Sequence, residues 1–150
     1  MIIRPCSEED IPLMLEIEQA SFPDPWTEGM FRSGFSERGV YYYAAEADMN
    51  MLGFIGLCDD CFDCVGISTL AVAERYRRSG TASKLLQTAE LKTLELTRPR
   101  LTLEVRAGNL PAIRLYEKFG FRNDGICPGY YLRPKEDAVI MSKYYDYSVN

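Results

Sequence analysis

The chain contains no histidine. This removes Ser-His and Cys-His nucleophilic pairs and the commonest metal ligand. Any proton transfer must therefore fall to a carboxylate, a tyrosine, a lysine, a cysteine or a water. Basic residues are in the minority: 17 Lys and Arg against 22 Asp and Glu give a formal net charge of −5. That balance excludes a protein built to coat nucleic acid. No apolar run approaches membrane-spanning length, and the start, Met1-Ile2-Ile3-Arg4-Pro5, lacks the basic-then-apolar pattern of a secretory leader. Repeats and low-complexity tracts are absent too. The expectation is a cytoplasmic protein whose five cysteines are reduced.

What is present suits one globular domain over residues 1–150, with 47% hydrophobic and 26% charged residues, large enough to bury a core without staples. The organising stretch runs from Ser68-Thr69-Leu70-Ala71-Val72 through Arg77-Arg78-Ser79-Gly80-Thr81-Ala82 to Leu85 and Leu86. An apolar strand hands the chain through an arginine pair and a glycine to an amphipathic helix. Unpaired N–H groups and the positive end of the helix dipole then converge, and arginines beside them add charge-assisted contacts to phosphate oxygens. A solvated turn is the plain alternative. The stretch has neither the P-loop ending nor the three glycines of a dinucleotide fingerprint.

Around it, Ile2-Ile3-Arg4 reads as a first strand. Ser7 is a candidate N-cap, with Glu8, Glu9 and Asp10 in the first turn, for a helix to about residue 20 whose Ile11, Met14, Leu15 and Ile17 share a face. Thr27 caps a second helix to about residue 38, ended by Gly39. Residues 40–47, 51–58 and 65–73 read as three strands with short turns, an antiparallel meander. A helix over 79–96, a strand over 100–106 and a helix capped by Asn109 and ended by Gly120 follow. A last strand pair closes the chain around a loop with Gly129, Tyr130, Tyr131 and Pro134. The order β-α-α-β-β-β-α-β-α-β-β predicts an α/β mixed, mostly antiparallel sheet flanked by helices.

Cys58, Cys61 and Cys64 form a C-x2-C-x2-C run. Read as metal ligands they need a fourth from Cys6 or Cys127, both distant; read otherwise they are small buried thiols flanking a hairpin turn. No metal is expected. In the strand 100–106, Glu104 sits on the face opposite Leu103 and Val105, as a solvated acid or as a base.

Leu70-Ala71-Val72 with Arg77-x-x-Gly80-x-Ala82 resembles the acetyl-CoA motif of the GNAT N-acetyltransferases. Leu103-Glu104-Val105-Arg106-Ala107-Gly108-Asn109, Ala112, Leu115-Tyr116-Glu117 and Phe119-Gly120-Phe121 resemble the second block of that family. With Phe22-x-x-Pro25-Trp26 early and Tyr130-Tyr131 late, the wording is most similar to the RimI-type ribosomal-protein-alanine N-acetyltransferases. The resemblance covers nearly the whole chain and implies the GNAT fold, with acetyl-CoA as co-substrate lying where two strands splay apart.

It further implies roles. Leu70, Ala71 and Val72 would offer main-chain hydrogen bonds to the pantetheine. Arg77, Arg78, Ser79, Gly80, Thr81 and Ala82 would hold the diphosphate. Asn109 would contact the cofactor, beside or together with capping its helix. Glu104 resembles the general base and Tyr116 the general acid that protonates the departing thiolate; packing between helix and sheet is the other reading of Tyr116. Trp26, Tyr130 and Tyr131 would line the acceptor cleft or serve as core lids. Gly108, where serine is frequent, and Cys127-Pro128-Gly129 depart from the pattern and affect only the peptide side.

The implied acceptor is a protein N-terminus, that of an alanine-starting small-subunit ribosomal protein first, attacked directly in a ternary complex. Elementary acidity points the same way. An α-amine of pKa about 7.7–8.0 gives up its proton at pH 7 for about 1–1.4 kcal/mol, a lysine amine for about 4.6 kcal/mol. One modest base suits the former. Rival readings are a GNAT enzyme for a small amine or another N-terminus, a non-catalytic acyl-CoA sensor, and a thiol metal-binding protein. Nucleic acid and membrane are not expected partners.

Overall fold

The computed structural model describes residues 1–59 and 63–148. Its first elements are β1 (Ile2–Pro5), a 3-10 turn over Glu8–Asp10 and α1 (Ile11–Ser21). Ser7 is the N-cap as expected, but of the 3-10 turn that runs directly into α1 and not of α1 itself. Asp10 accepts from the Ser7 main-chain N–H at 2.8 Å and from both Nη groups of Arg4 at 2.9 Å. The Arg4 guanidinium holds that carboxyl below the usual carboxylate range, although burial opposes it. Thr27 does cap α2 (Glu28–Ser36), accepting from Met30 N–H at 3.2 Å. That helix stops short of residue 38 because Glu37 turns extended; Gly39, at φ +78°, then swings the chain into the sheet.

The meander is present as β2 (Val40–Ala47), β3 (Asn50–Cys58) and β4 (Cys64–Val72), paired antiparallel. A 3-10 turn over Glu74–Tyr76, not foreseen from the sequence, leads to α3 (Thr81–Glu95). Then come β5 (Arg100–Arg106), α4 (Leu110–Lys118), β6 (Arg122–Leu132) and β7 (Lys135–Tyr144). The seven-stranded sheet has the order β1-β2-β3-β4-β5-β7-β6. Every neighbouring pair is antiparallel except β4–β5. Tyr130 and Tyr131 therefore lie within a strand and not in a loop. Pairing resumes at Tyr131↔Glu136 and Leu132↔Lys135 after a slip that follows Cys127, which carries β6 almost to Pro134.

Each face of the sheet buries its own core. Leu85, Leu86 and Ala89 of α3 pack with Ile55, Val65, Leu101, Leu103 and Val105 on one face. Ile11, Met14 and Ile17 of α1 and Phe31 of α2 pack with Tyr42, Ala44, Phe54 and Ala71 on the other. This division follows from period-two alternation in the strands and from one apolar stripe per helix.

Two irregularities position the site. Parallel pairing of β4 with β5 ends at Ile67↔Leu103. On its other side, β4 pairs Ile67 with Leu57 and Thr69 with Gly56, so Ser68 is an extra residue in a bulge. A bulge bends its strand and switches which residues face which side. Val65 and Ile67 belong to the α3-side core, whereas Ala71, beyond the bulge, belongs to the α1-side core. From Ser68 onward β4 leans away from β5.

The close approach of β3 to this bent strand requires Gly53. A Cβ there would fall 2.6 Å from the Ala71 carbonyl oxygen and 3.0 Å from the Val72 Cα. Both are main-chain atoms that no rotamer change can move. Gly53→Ala is expected to cost about 1–3 kcal/mol of stability by overpacking, measured by urea unfolding; an unchanged midpoint would show that β3 and β4 separate freely.

Candidate active site

Beyond β4 the chain enters the arginine turn. Gly80, the N-cap of α3, has φ +82° and ψ 5°, a left-handed conformation that favours glycine, and no side chain caps the helix. The N–H groups of the first turn are thus left without a capping side chain. A Cβ on Gly80 would meet nothing within 4 Å. Backbone conformation, and not crowding, is what selects glycine here. Arg78 also takes a left-handed φ, +62°. The Ser79 hydroxyl donates to the Tyr76 carbonyl and lies 2.9 Å from Thr81 Oγ1, bracing the turn. Arg77 Nε donates to the Val72 carbonyl at 3.1 Å. This uses one of its five N–H donors, so the side chain is held at the turn with donors to spare.

Where β4 and β5 separate, a cleft of about 250 Å³ opens. Leu70, Glu104, Asn109, Tyr116, Trp26 and Tyr131, all singled out in the sequence, line it. Leu103 and Val105 are buried toward α3, so the intervening Glu104 projects to the α1 side and is exposed. Tyr116 belongs to the α3-side core and stacks edge-on against Phe121 at 5.8 Å. The cleft is therefore lined from both faces of the sheet. Burial pushes the Tyr116 phenol up to about 12. Asn109 Oδ1 accepts from Ala112 N–H at 3.4 Å, a long cap, so Asn109 both caps the start of α4 and faces the cleft.

Other residues are not brought in. Ala71 is 3% exposed and packs under α1. Val72 and the arginine turn lie past the cleft lining, at the end of β4. Tyr130 is half exposed outside the cleft and packs edge-on against Tyr131 at 5.0 Å. Cys61 lies outside the described residues. Among the described residues, no group of three His, Cys, Asp or Glu side chains could hold a metal ion.

Three residues with a bearing on the cleft, Glu18, Thr69 and Arg106, are given no role there by the sequence alone. Glu18 of α1 is only 2% exposed, yet lines the cleft. Its Oε1 accepts from the Thr69 hydroxyl at 2.7 Å and its Oε2 from the Trp26 main-chain N–H at 3.1 Å. Burial pushes this carboxyl up against the pull of both hydrogen bonds. Its position, seven residues after Ile11 and four after Met14, puts it on the buried stripe of the helix; that spacing was the available signal. Thr69 follows the bulge directly.

Arg106, which reads in the sequence only as one of the polar face of its strand, stacks over the Tyr131 ring at 4.2 Å. It donates to the carbonyls of Pro134 at 2.8 Å and Arg133 at 3.0 Å, and to Glu136 at 3.3 Å. Glu136 in turn accepts from Gly108 N–H at 2.7 Å. This set of contacts fastens the β6–β7 turn beside the cleft. Arg106→Ala is expected to cost about 1.5–3 kcal/mol, the range for hydrogen bonds to charged groups. It should also speed amide exchange in residues 131–136. Arg106→Lys should recover little, since an ammonium cannot reproduce the fork. Exchange confined to its original rate would show that the turn holds without Arg106.

Comparison with known proteins agrees with this geometry. The model of the acetyltransferase (GNAT) family matches residues 11–121. A Bacillus subtilis relative is 37% identical over 134 residues, covering 89% of this chain and 88% of its own. The ribosomal protein bS18-alanine N-acetyltransferase of Escherichia coli is 33% identical over 135 residues, covering 89% and 90%. A crystal structure of that Escherichia coli enzyme superposes with a TM-score of 0.86 at 28% identity, over 99% of this chain and 98% of the other. A GNAT acetyltransferase from Elizabethkingia anophelis, solved with acetyl-CoA bound, shares the fold at a TM-score of 0.81 and 18% identity, over 96% and 97%. A match across most of the chain, with the expected acid, tyrosine and glycine turn around one splayed strand pair, has a single reading: the chain belongs to the acetyltransferase (GNAT) family.

Proposed function

We propose that residues 1–150 act as one GNAT domain that transfers acetyl from acetyl-CoA to the α-amine of a protein N-terminus, first of all an alanine-starting ribosomal protein. The observation that carries this reading is the cleft at the β4–β5 separation, which holds Glu104, Asn109 and Tyr116 together with the bent strand. The name of the Escherichia coli relative supplies the acceptor class. A ribosomal acceptor would make the enzyme cytoplasmic; no helix among the described residues is long and apolar enough to cross a membrane.

Acetyl-CoA supplies the thioester carbonyl that the amine attacks. The diphosphate would be held at the Gly80 turn by first-turn N–H groups and by Arg77 and Arg78, with Ser79, Thr81 and Ala82 shaping the turn. Main-chain groups of Leu70, Ala71 and Val72, which β5 no longer pairs beyond Ile67, would be free to hydrogen-bond the pantetheine. Glu104, projecting into the cleft, takes the proton that the amine sheds. A single exposed carboxylate suits an α-amine better than a lysine, whose proton costs more to remove. Trp26 and Tyr131 wall the acceptor side, with Tyr130 at its rim.

Tyr116, lining the same cleft, would face the departing sulfur. At a pKa of about 12 it is fully protonated at neutral pH. Complete transfer to a thiolate whose acid lies near 8.5 would be uphill by roughly 5 kcal/mol. The phenol therefore stabilises the thiolate as a hydrogen-bond donor, and protonation is completed from solvent.

Glu104→Gln and Tyr116→Phe should each leave the acetyl-CoA dissociation constant within about twofold. Glu104→Gln should lower kcat on an alanine-starting ribosomal peptide by about a hundredfold, the lower range for general acid–base groups, and Tyr116→Phe by about ten- to a hundredfold, the cost of a lost hydrogen bond to a charged group. Calorimetry and steady-state kinetics read both quantities. Faster turnover of polyamines than of any peptide by the unmodified protein would overturn the acceptor assignment.

A further inference from the structure

Within that cleft the charges do not balance. Glu18, Asp24, Glu104 and Arg106 are its charged lining residues. Asp24 pairs with Arg133 at 3.2 Å. The Arg106 donors go to Pro134, Arg133 and Glu136. Among the described residues neither Glu18 nor Glu104 has an ion-pair partner. For the exposed Glu104, water answers the charge. Glu18 is 2% exposed, and burying a carboxylate without a cation opposes folding.

Its two hydrogen bonds do not explain the charge. A glutamine could accept from the Trp26 N–H through its oxygen and donate its amide to a rotated Thr69 hydroxyl, tying the same elements together with nothing ionised. What a glutamine could not do is answer a positive charge entering from the cleft. Each Glu18 oxygen takes only one hydrogen bond, which leaves acceptor capacity on both.

We infer that Glu18 is a specificity-determining residue: its carboxylate, held between Thr69 and the Trp26 main chain, is the counter-charge that draws the ammonium form of the acceptor N-terminus into the cleft. The inference rests on the proposed use of an N-terminal amine as acceptor. Glu18 and Glu104 then divide the work. Glu18 receives the cation on the α1 side, and Glu104 takes the proton when the amine turns to the thioester. An acceptor whose N-terminus is already acylated carries no charge and gains nothing from Glu18.

The test pairs a protein change with a ligand change. An alanine-starting ribosomal peptide and its des-amino analogue, with propionyl in place of the first alanine, are measured as ligands of the acetyl-CoA-free protein and of its Glu18→Gln variant. The unmodified protein should bind the amine peptide at least tenfold more tightly than the des-amino peptide. Glu18→Gln should shrink that ratio by about tenfold, leave acetyl-CoA affinity within twofold, and keep or raise the thermal midpoint at pH 8, because a buried charge has been removed.

A ratio unchanged within twofold in the variant would overturn the inference. So would equal weakening of both peptides, or of acetyl-CoA, which would make Glu18 a structural tie only. The absence of any amine preference in the unmodified protein would overturn it without recourse to the variant. If the unmodified protein binds with the expected preference yet acetylates no peptide, the transferase reading falls while the charge assignment stands.

Discussion

The loss of pairing between β4 and β5 after Ile67↔Leu103 is the constraint on which the site depends. In a continuous parallel sheet the edge of β4 would be spent on hydrogen bonds to its neighbour. Here one extra residue, Ser68, bends β4 against β3 and turns the following side chains over. Gly53 permits the bent strand to stay close to β3. The sheet is thus opened from within, and side chains from both layers reach one cleft. Tyr116 comes from the α3 side, Glu104 and Glu18 from the α1 side.

Once the strands part, two sets of polar contacts hold the walls. On one side Glu18 ties α1 to Thr69 and to the main chain at Trp26. On the other, Arg106 and Glu136 fasten the β6–β7 turn to the strand that carries Glu104. The Asp24–Arg133 pair joins the two walls. Exposed pairs of this kind contribute little, so the rigidity of the cleft comes from the less exposed Arg106 network, in which the guanidinium makes three hydrogen bonds. The Glu18 tie differs in burying a carboxyl with no ion-pair partner among the described residues. A fold that keeps such a group at a cleft gives up stability for something the cleft must bind.

Much of the fold was legible because the elements obey simple periods. Leu101, Leu103 and Val105 alternate with Thr102, Glu104 and Arg106, and the observed strand has the expected ends. Residues 40–47 likewise. The second helix was read too long, since nothing local marks Glu37 as extended. The loop around Tyr130 was misread because its glycines and prolines suggest a turn. Tertiary pairing with the long strand β7 overrides that local signal and draws Tyr131 and Leu132 into the sheet. Arg106 looked like an ordinary polar-face residue because its partners, Pro134, Arg133 and Glu136, are distant in sequence.

The sequence by itself determined the order of the elements, the glycine-led helix start at Gly80, and an acid and a tyrosine that the fold brings to one cleft. These are local properties, set by periodicity, by a positive φ and by motif spacing. Only the tertiary structure decided where β4 parts from β5, which of the marked aromatics face the cleft, and that Glu18 is buried there with no cation beside it among the described residues. Those outcomes depend on strand register and on packing between segments about fifty residues apart, such as α1 against β4, and no short stretch of chain carries that information.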